Sequence, residues 1–267
     1  WTSISTRCVM TMSSFCLGLK GMNPDLDLVE NFGKYFLPAI LPLDSGNPFR
    51  VKEVPQTPLL FEEKWPHFIE RTIDCRMILT RLFKDVEKAV PAEQQWSLVS
   101  YLWFFAAGMN SLDTDLSFKD LFTREELIAL WKIDDFQFYA EAWPTHTGYQ
   151  PIVDDIIAKA DARIAGGRVG ADLRFGHDYP LMALCSYFGV EGIGERYDTD
   201  GARKHFISTL YSPFAGNLQM IFYRSRKAGS PVLVKFLLNE NEVSIKGLEP
   251  VQGPYYSWEA FKEKISR

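Results

Sequence analysis

His177 and Asp178 close the stretch Ala171-Asp172-Leu173-Arg174-Phe175-Gly176-His177-Asp178, a short apolar run that ends in a glycine. An imidazole beside a protonatable carboxyl group can hold an anion and deliver a proton to a leaving group. Arg7 is a second candidate, at the end of a predicted strand and just before a helix amino terminus. A guanidinium there can grip a phosphate through paired hydrogen bonds, and the first helical amides add to the anion site. Each residue also has a plainer reading. Asp178 can be the N-cap of the helix that follows, and arginine is mostly a surface residue.

The elements around these residues must form strand-to-helix turns to present them. Leu181, Leu184, Cys185 and Phe188 fall on one face at helical spacing, so a helix starts at once after Asp178. Residues 2–6 finish a strand, and Arg7 to Lys20 forms a helix that Gly21 and Pro24 terminate. Both pairs of elements place their polar residues at the carboxyl edge of a sheet, where open α/β sheets bind ligands. Residues 26–36 contain a possible strand, and 217–223 and 231–238 read as two more. Between them lies a helical middle. Residues 37–60 carry five prolines and form a long irregular connection, the kind of loop that is usually functional in a compact domain. Helical patterns then cover 60–89, a segment opened by Pro91 through Ala107, two or three short helices over 117–143, and Gly148 to Ala165. Ser117 and Thr123 are candidate N-caps, and Thr123-Arg124-Glu125-Glu126 has the spacing of a capping box. Gly166-Gly167 ends the last of these helices, and Ser257 caps a final one running to Ser266. The chain is therefore read as α/β, with residues 1–36 and 166–267 forming the core domain and 37–165 a connection plus an inserted helical cap domain.

Bulk properties exclude several classes. The hydrophobic content of 46% fits a well-cored chain rather than a disordered one. With 29 basic and 34 acidic residues, the net charge of −5 gives no general field for polyanions. No basic run interleaves with aromatics, which disfavours nucleic acid. The most apolar run, Val99 to Gly108, is too short for a membrane span and reads as a buried helix. The spacings of metal-binding motifs are missing, so no metal and no cofactor are expected. Cys8 and Cys16 are eight apart on a helix, roughly 12 Å and too far for a disulfide. All four cysteines read as core thiols.

Other candidates carry less. Arg174, an odd number of residues from His177, faces the other side of a strand and is read as structural. Asn217 fits either a positioning role or a turn. His67, His146 and His205 read as structural or exposed. Gly189-Val190-Glu191-Gly192-Ile193-Gly194 follows a helix where a nucleotide fingerprint needs a strand, and is discounted. Arg50, Lys52, Lys64, Arg71, Arg76 and Arg81 could line a polyanion pocket or simply pair with local acids.

Phe175-Gly176-His177-Asp178 resembles the second catalytic motif of the histidine acid phosphatases, the family of phytases and multiple inositol polyphosphate phosphatases. Three further segments agree in the family's order. Ser5 to Leu19 is similar to the strand-end arginine with a helix running into Phe-x-x-Gly-Leu. Pro213 to Gln219 resembles the small-residue-Asn strand, and Val234 to Glu240 the Asn-Glu strand end. The resemblance implies a phosphoglycerate-mutase-like sheet flanked by helices, with a helical domain beside it. It implies phosphate binding by Arg7 and His177, general-acid catalysis by Asp178, and hydrolysis of a small phosphate ester through a phosphohistidine. Inositol polyphosphates are the first substrates implied, in a periplasmic or secreted setting. The inositol polyphosphate branch more often carries His-Ala-Glu where this chain has His-Asp.

The family's nucleophile sits in Arg-His-Gly-x-Arg, and no Arg-His-Gly occurs among these 267 residues. In the family that motif precedes the segment matched at Arg7. The chain is thus read as a carboxyl-terminal portion whose nucleophile lies upstream, and that missing segment is a possible partner. Two alternatives stay open: a module that holds phosphate without turnover, and a phosphomutase of the same fold.

Overall fold

The computed structural model describes residues 1–44, 47, 65–142, 146–193, 197, 201 and 204–266. Contacts group the chain into two units: Trp1–Thr57 with Glu141–Asp198 and Ile207–Arg267, and Pro58–Ala140 with Thr199–Phe206.

The first unit is organised by strand β2 (Leu233–Leu238), which has a neighbour on each side. Strand β1 (Leu218–Tyr223) pairs with it antiparallel along its whole length. On its other edge lie β3 (Asn241–Glu242) and β4 (Tyr256–Ser257). Val234, Phe236 and Leu238 alternate inward and are buried, as a sheet with one covered face requires. A two-residue turn joins β2 to β3, with Asn239 at φ 49° and Glu240 at φ 64°. That is the left-handed geometry that matches a tight hairpin to strand twist. Asn239 Oδ1 accepts from the Asn217 amide at 2.9 Å, and Asn217 Nδ2 donates to Glu240 at 2.8 Å. The two segments singled out around Asn217 and Asn239 are thus one structural knot, and Asn217 serves the turn.

A short helix α9 (Ser208–Tyr211) precedes β1, and helices α8 (Asp178–Phe188) and α10 (Trp258–Ile265) cover the sheet. Phe261 lies between Phe188, Phe236 and Trp258, with ring centroids 5.1, 4.8 and 5.7 Å away. Helix α8 ends at Gly189, whose φ of 74° forms the left-handed C-cap and lets Val190 donate back to Cys185. Ser257 caps α10 by accepting from the Ala260 amide. Helix α7 (Gln150–Ile164) packs here too, since Val153 is buried in the same apolar cluster as Phe188 and Phe236. The sequence division put α7 within 37–165, the connection and helical cap domain; in the structure its Val153 packs in the cluster beneath the sheet.

The strands expected at 2–6, within 26–36 and before His177 are reduced to single bridges. Thr2 makes single parallel bridges to Phe32 and to Phe175. Helix α1 (Thr6–Met22) begins four residues after the first of these, and a 3₁₀ helix over Lys34–Ala39 soon follows the second. Three extended segments lie side by side, each paired for one residue before the chain turns into a helix.

The second unit contains α2 (Trp65–Thr72), α3 (Cys75–Leu79), α4 (Val86–Ala89), α5 (Ala92–Gly108) and α6 (Arg124–Ala142). Its core includes Phe68 against Phe136, centroids 4.8 Å apart. One 19-residue helix, preceded by a 3₁₀ turn over Lys119–Leu121, replaces the predicted short helices of 117–143. The predicted capping box is present: the Thr123 amide donates to Glu126 at 2.7 Å, and the Glu126 amide donates to Thr123 Oγ1 at 3.2 Å. Among the described residues, no helix is long and apolar enough to cross a membrane.

Candidate functional site

Thr2 and Phe175 set the site's geometry, because their parallel bridge brings two chain turns to one edge. After Thr2 the chain passes Ser3 and Ser5 and enters α1; after Phe175 it passes Gly176 and His177 and enters α8. Both helices therefore open their amino termini at that edge. Neither N-cap residue, Ser5 or His177, makes a side-chain capping bond, and α1 has no acidic residue in its first turn. Helix amino termini carry N–H groups without intrahelical partners and a partial positive charge; in α8 the Tyr179 amide is taken by Asp178 and Pro180 has no N–H, so α1 is the more open of the two.

Between them is a cavity of about 540 Å³, lined by Ser3, Ile4, Ser5, Arg7, Leu37, Leu41, Leu43, Asp44, Tyr149, His177 and Tyr179. Arg7 and His177, singled out separately in the sequence, meet here. Arg7 Nη2 donates to His177 Nδ1 at 3.0 Å. A guanidinium has only donors, so Nδ1 must be the acceptor and the ring proton sits on Nε2. Nε2 lies 3.3 Å from Ser3 Oγ and 3.7 Å from Cys8 Sγ. The Cys8 thiol itself donates to the Gly176 carbonyl at 3.1 Å. Burial alone would push this thiol up. Its hydrogen bonds with His177 and Ser3 and the nearby Arg7 charge bring it net below its ordinary value.

Asp178 is placed differently. It is the first residue of α8, with His177 in the N-cap position, so the N-cap reading of Asp178 is corrected by one residue. Its Oδ1 accepts from the Tyr179 amide at 3.0 Å. Asp178 adjoins the cavity through its neighbours and is not among the lining residues.

Arg174 turns away from His177 and clamps other elements. It donates to Asp155 at 2.6 Å, Asp172 at 3.0 Å and the Ala39 carbonyl at 3.1 Å. Of the cations considered for a polyanion pocket, Arg76 pairs with Glu87 and Arg81 forks onto Glu126 at 2.7 and 2.9 Å. Arg71 donates to the His67 carbonyl. Arg50, Lys52 and Lys64 lie outside the described residues. His67 is exposed beside Glu70, and His205 is exposed.

Sequence reasoning missed Ser3 and Cys8. Cys8 was counted as a core thiol; it is buried, yet its sulfur touches the site. Cys75 is only half-buried.

No protein-family profile matches the sequence, and no curated protein matches it. Solved structures do share its fold. The apo form of multiple inositol polyphosphate phosphatase from Bifidobacterium longum superposes with a TM-score of 0.74 at 16% identity, covering 100% of this chain and 72% of that one. The same enzyme in complex with inositol hexasulfate gives 0.55 at 23% identity, over 64% of this chain and 39% of that one. The phytase from D. castellii gives 0.54 at 14% identity, over 99% of this chain and 57% of that one. At these identities the likeness concerns architecture: helices packed on an antiparallel sheet, in the fold of the histidine acid phosphatases and phytases.

Proposed function

We propose that the cavity between α1 and α8 binds the phosphoryl group of an organic phosphate ester, and that the complete protein hydrolyses that ester. The observation that carries this is the Arg7–His177 contact of 3.0 Å at a cavity edge where the amino termini of α1 and α8 open. A phosphoryl oxygen arriving there would take the Arg7 donors and the free amides in place of the present contact. Asp178, next in the chain, is the proton donor to the leaving alkoxide; afterwards its carboxylate orients or deprotonates water. None of the histidines in these 267 residues sits in Arg-His-Gly, so on this reading, as the resemblance implies, the attacking histidine is one supplied from elsewhere. Inositol polyphosphates are the class to which the names of the structural neighbours point, and the family's periplasmic or secreted setting goes with that reading. A module that holds phosphate without turnover is the second reading, favoured by the same lack of a nucleophile motif. A phosphomutase has no such observation in its favour.

Asp178→Asn in the full-length protein tests the role of the acid. General-acid catalysis contributes about 10²–10⁴-fold. That loss is expected with inositol and other alkyl phosphates, and a much smaller one with nitrophenyl phosphate, whose phenolate leaves unaided. Equal losses on both substrates together with a lower melting temperature would make Asp178 a structural residue.

A further inference from the structure

We infer that Ser3 is a positioning residue for His177: its hydroxyl holds the Nε2 proton, so that Nδ1 is the atom left to deal with Arg7 and the incoming anion. This rests on the proposed phosphate site and adds to it the group that fixes the ring. An imidazole has two neutral tautomers, and the partner of one nitrogen decides what the other can do. Here the exposed Arg7 side chain holds its acceptor at Nδ1 only loosely, so the tautomer also needs a fixed acceptor for the Nε2 proton. Ser3 Oγ supplies it at 3.3 Å, while Cys8 Sγ is farther, at 3.7 Å, and its own proton goes to the Gly176 carbonyl.

Placement argues the same way. Ser3 is 1% exposed although it is a serine 174 residues from its partner. The bridge between Thr2 and Phe175 sets the height of Ser3 against His177, so the contact follows from strand register rather than from a mobile side chain. When the anion takes the Arg7 donors, His177 loses its Nδ1 partner. Ser3 continues to accept from Nε2 and keeps the ring plane fixed. The groups that face the ring are Arg7 and Cys8 of α1 and Ser3; Asp44, Tyr149 and Tyr179 share the cavity.

The test uses the 267-residue chain and the ring nitrogen signals of His177, assigned by their loss in His177→Gln. The parent should show the Nε2–H tautomer, Ser3→Ala a mixture, and Ser3→Thr the parental pattern. Sulfate, which does not titrate near neutrality, is the binding probe. Loss of one hydrogen bond of ordinary strength predicts roughly 2- to 10-fold weaker sulfate binding in Ser3→Ala, with recovery in Ser3→Thr. If the alanine variant does not fold, Ser3→Cys replaces the hydroxyl by a weak sulfur acceptor and takes its place. An unchanged ring pattern in Ser3→Ala overturns the inference, as does a tautomer change in Cys8→Ala alone. Failure of the parent to bind sulfate would refute the phosphate site, while the ring pattern would still decide the role of Ser3.

Discussion

Phe261 is fully buried and touches the rings of Phe188, Phe236 and Trp258, whereas Arg7 and Tyr179 stand exposed beside a cavity. The sheet around Phe261 is paired along six residues of β1 and β2; the edge that carries Arg7 and His177 is held by single-residue bridges at Thr2. One region concentrates apolar area and cross-strand bonds. The other has no capping bond from its two N-cap side chains, Ser5 and His177, and keeps polar side chains close together. The difference teaches that the apolar core and the proposed anion site are built from different residues of one unit, so each can be changed without the other.

The largest expected effect is on the first region. Phe261→Ala removes a ring with no exposure from a packed aromatic cluster, and such truncations cost about 3–5 kcal/mol. Urea unfolding should register that loss, while the folded fraction binds sulfate with parental affinity. A fall in affinity that outruns the loss of folded protein would mean that the two regions are coupled. Arg7→Ala is the converse. Charge-assisted hydrogen bonds contribute about 1.5–3 kcal/mol, so sulfate affinity should drop roughly 10- to 100-fold. The melting temperature should barely move, because the Arg7 side chain is exposed and its partner is His177. A large melting shift with unchanged affinity would make Arg7 a structural residue.

Much of this division was legible in the sequence where local chemistry dictates geometry. Gly-His-Asp before a 3.6-residue period announced the turn into α8; Pro91, Thr123 and Ser257 marked helix ends that the structure shows within a residue or two. What escaped depends on the meeting of distant segments. Ser3 reaches His177 only through the bridge of Thr2 to Phe175, and no spacing within either segment encodes that pairing. Cys8 falls on the buried Cys8, Met12, Cys16 stripe of α1, so helical periodicity assigns it to a core and cannot see the carbonyl of Gly176 above it. The extended segments at 2, 32 and 175 were read as strands from composition. Their shortness reflects helices and 3₁₀ turns that begin within a few residues. Over 117–143 two or three short helices were expected, but α6 runs on as one helix with Asp135 buried in it.

A smaller effect, in the other compact unit, asks whether stability there too can be altered apart from the site. Arg81 holds the Glu126 carboxylate from two nitrogens, and their side chains are 31% and 18% exposed. That hydrogen bond, with the backbone and side chain of Thr123, keeps the Glu126 carboxyl below its ordinary value against the opposing push of burial. A carboxyl depressed in the folded state contributes stability that is present above its unfolded value of 4.5 and is lost as pH falls through the lower folded value. Glu126→Gln isolates this contribution, because glutamine still completes the capping box with Thr123 but carries no charge for Arg81. Solvent screening limits the loss to about 1 kcal/mol or less at neutral pH. The two proteins should then converge in stability as the solution is acidified, since protonated Glu126 and glutamine are equivalent toward Arg81. Sulfate affinity should be the same in both. Urea unfolding across the acid limb makes the measurement. A gap between parent and Glu126→Gln that persists below the folded titration would show that packing, and not the Arg81 charge, accounts for Glu126.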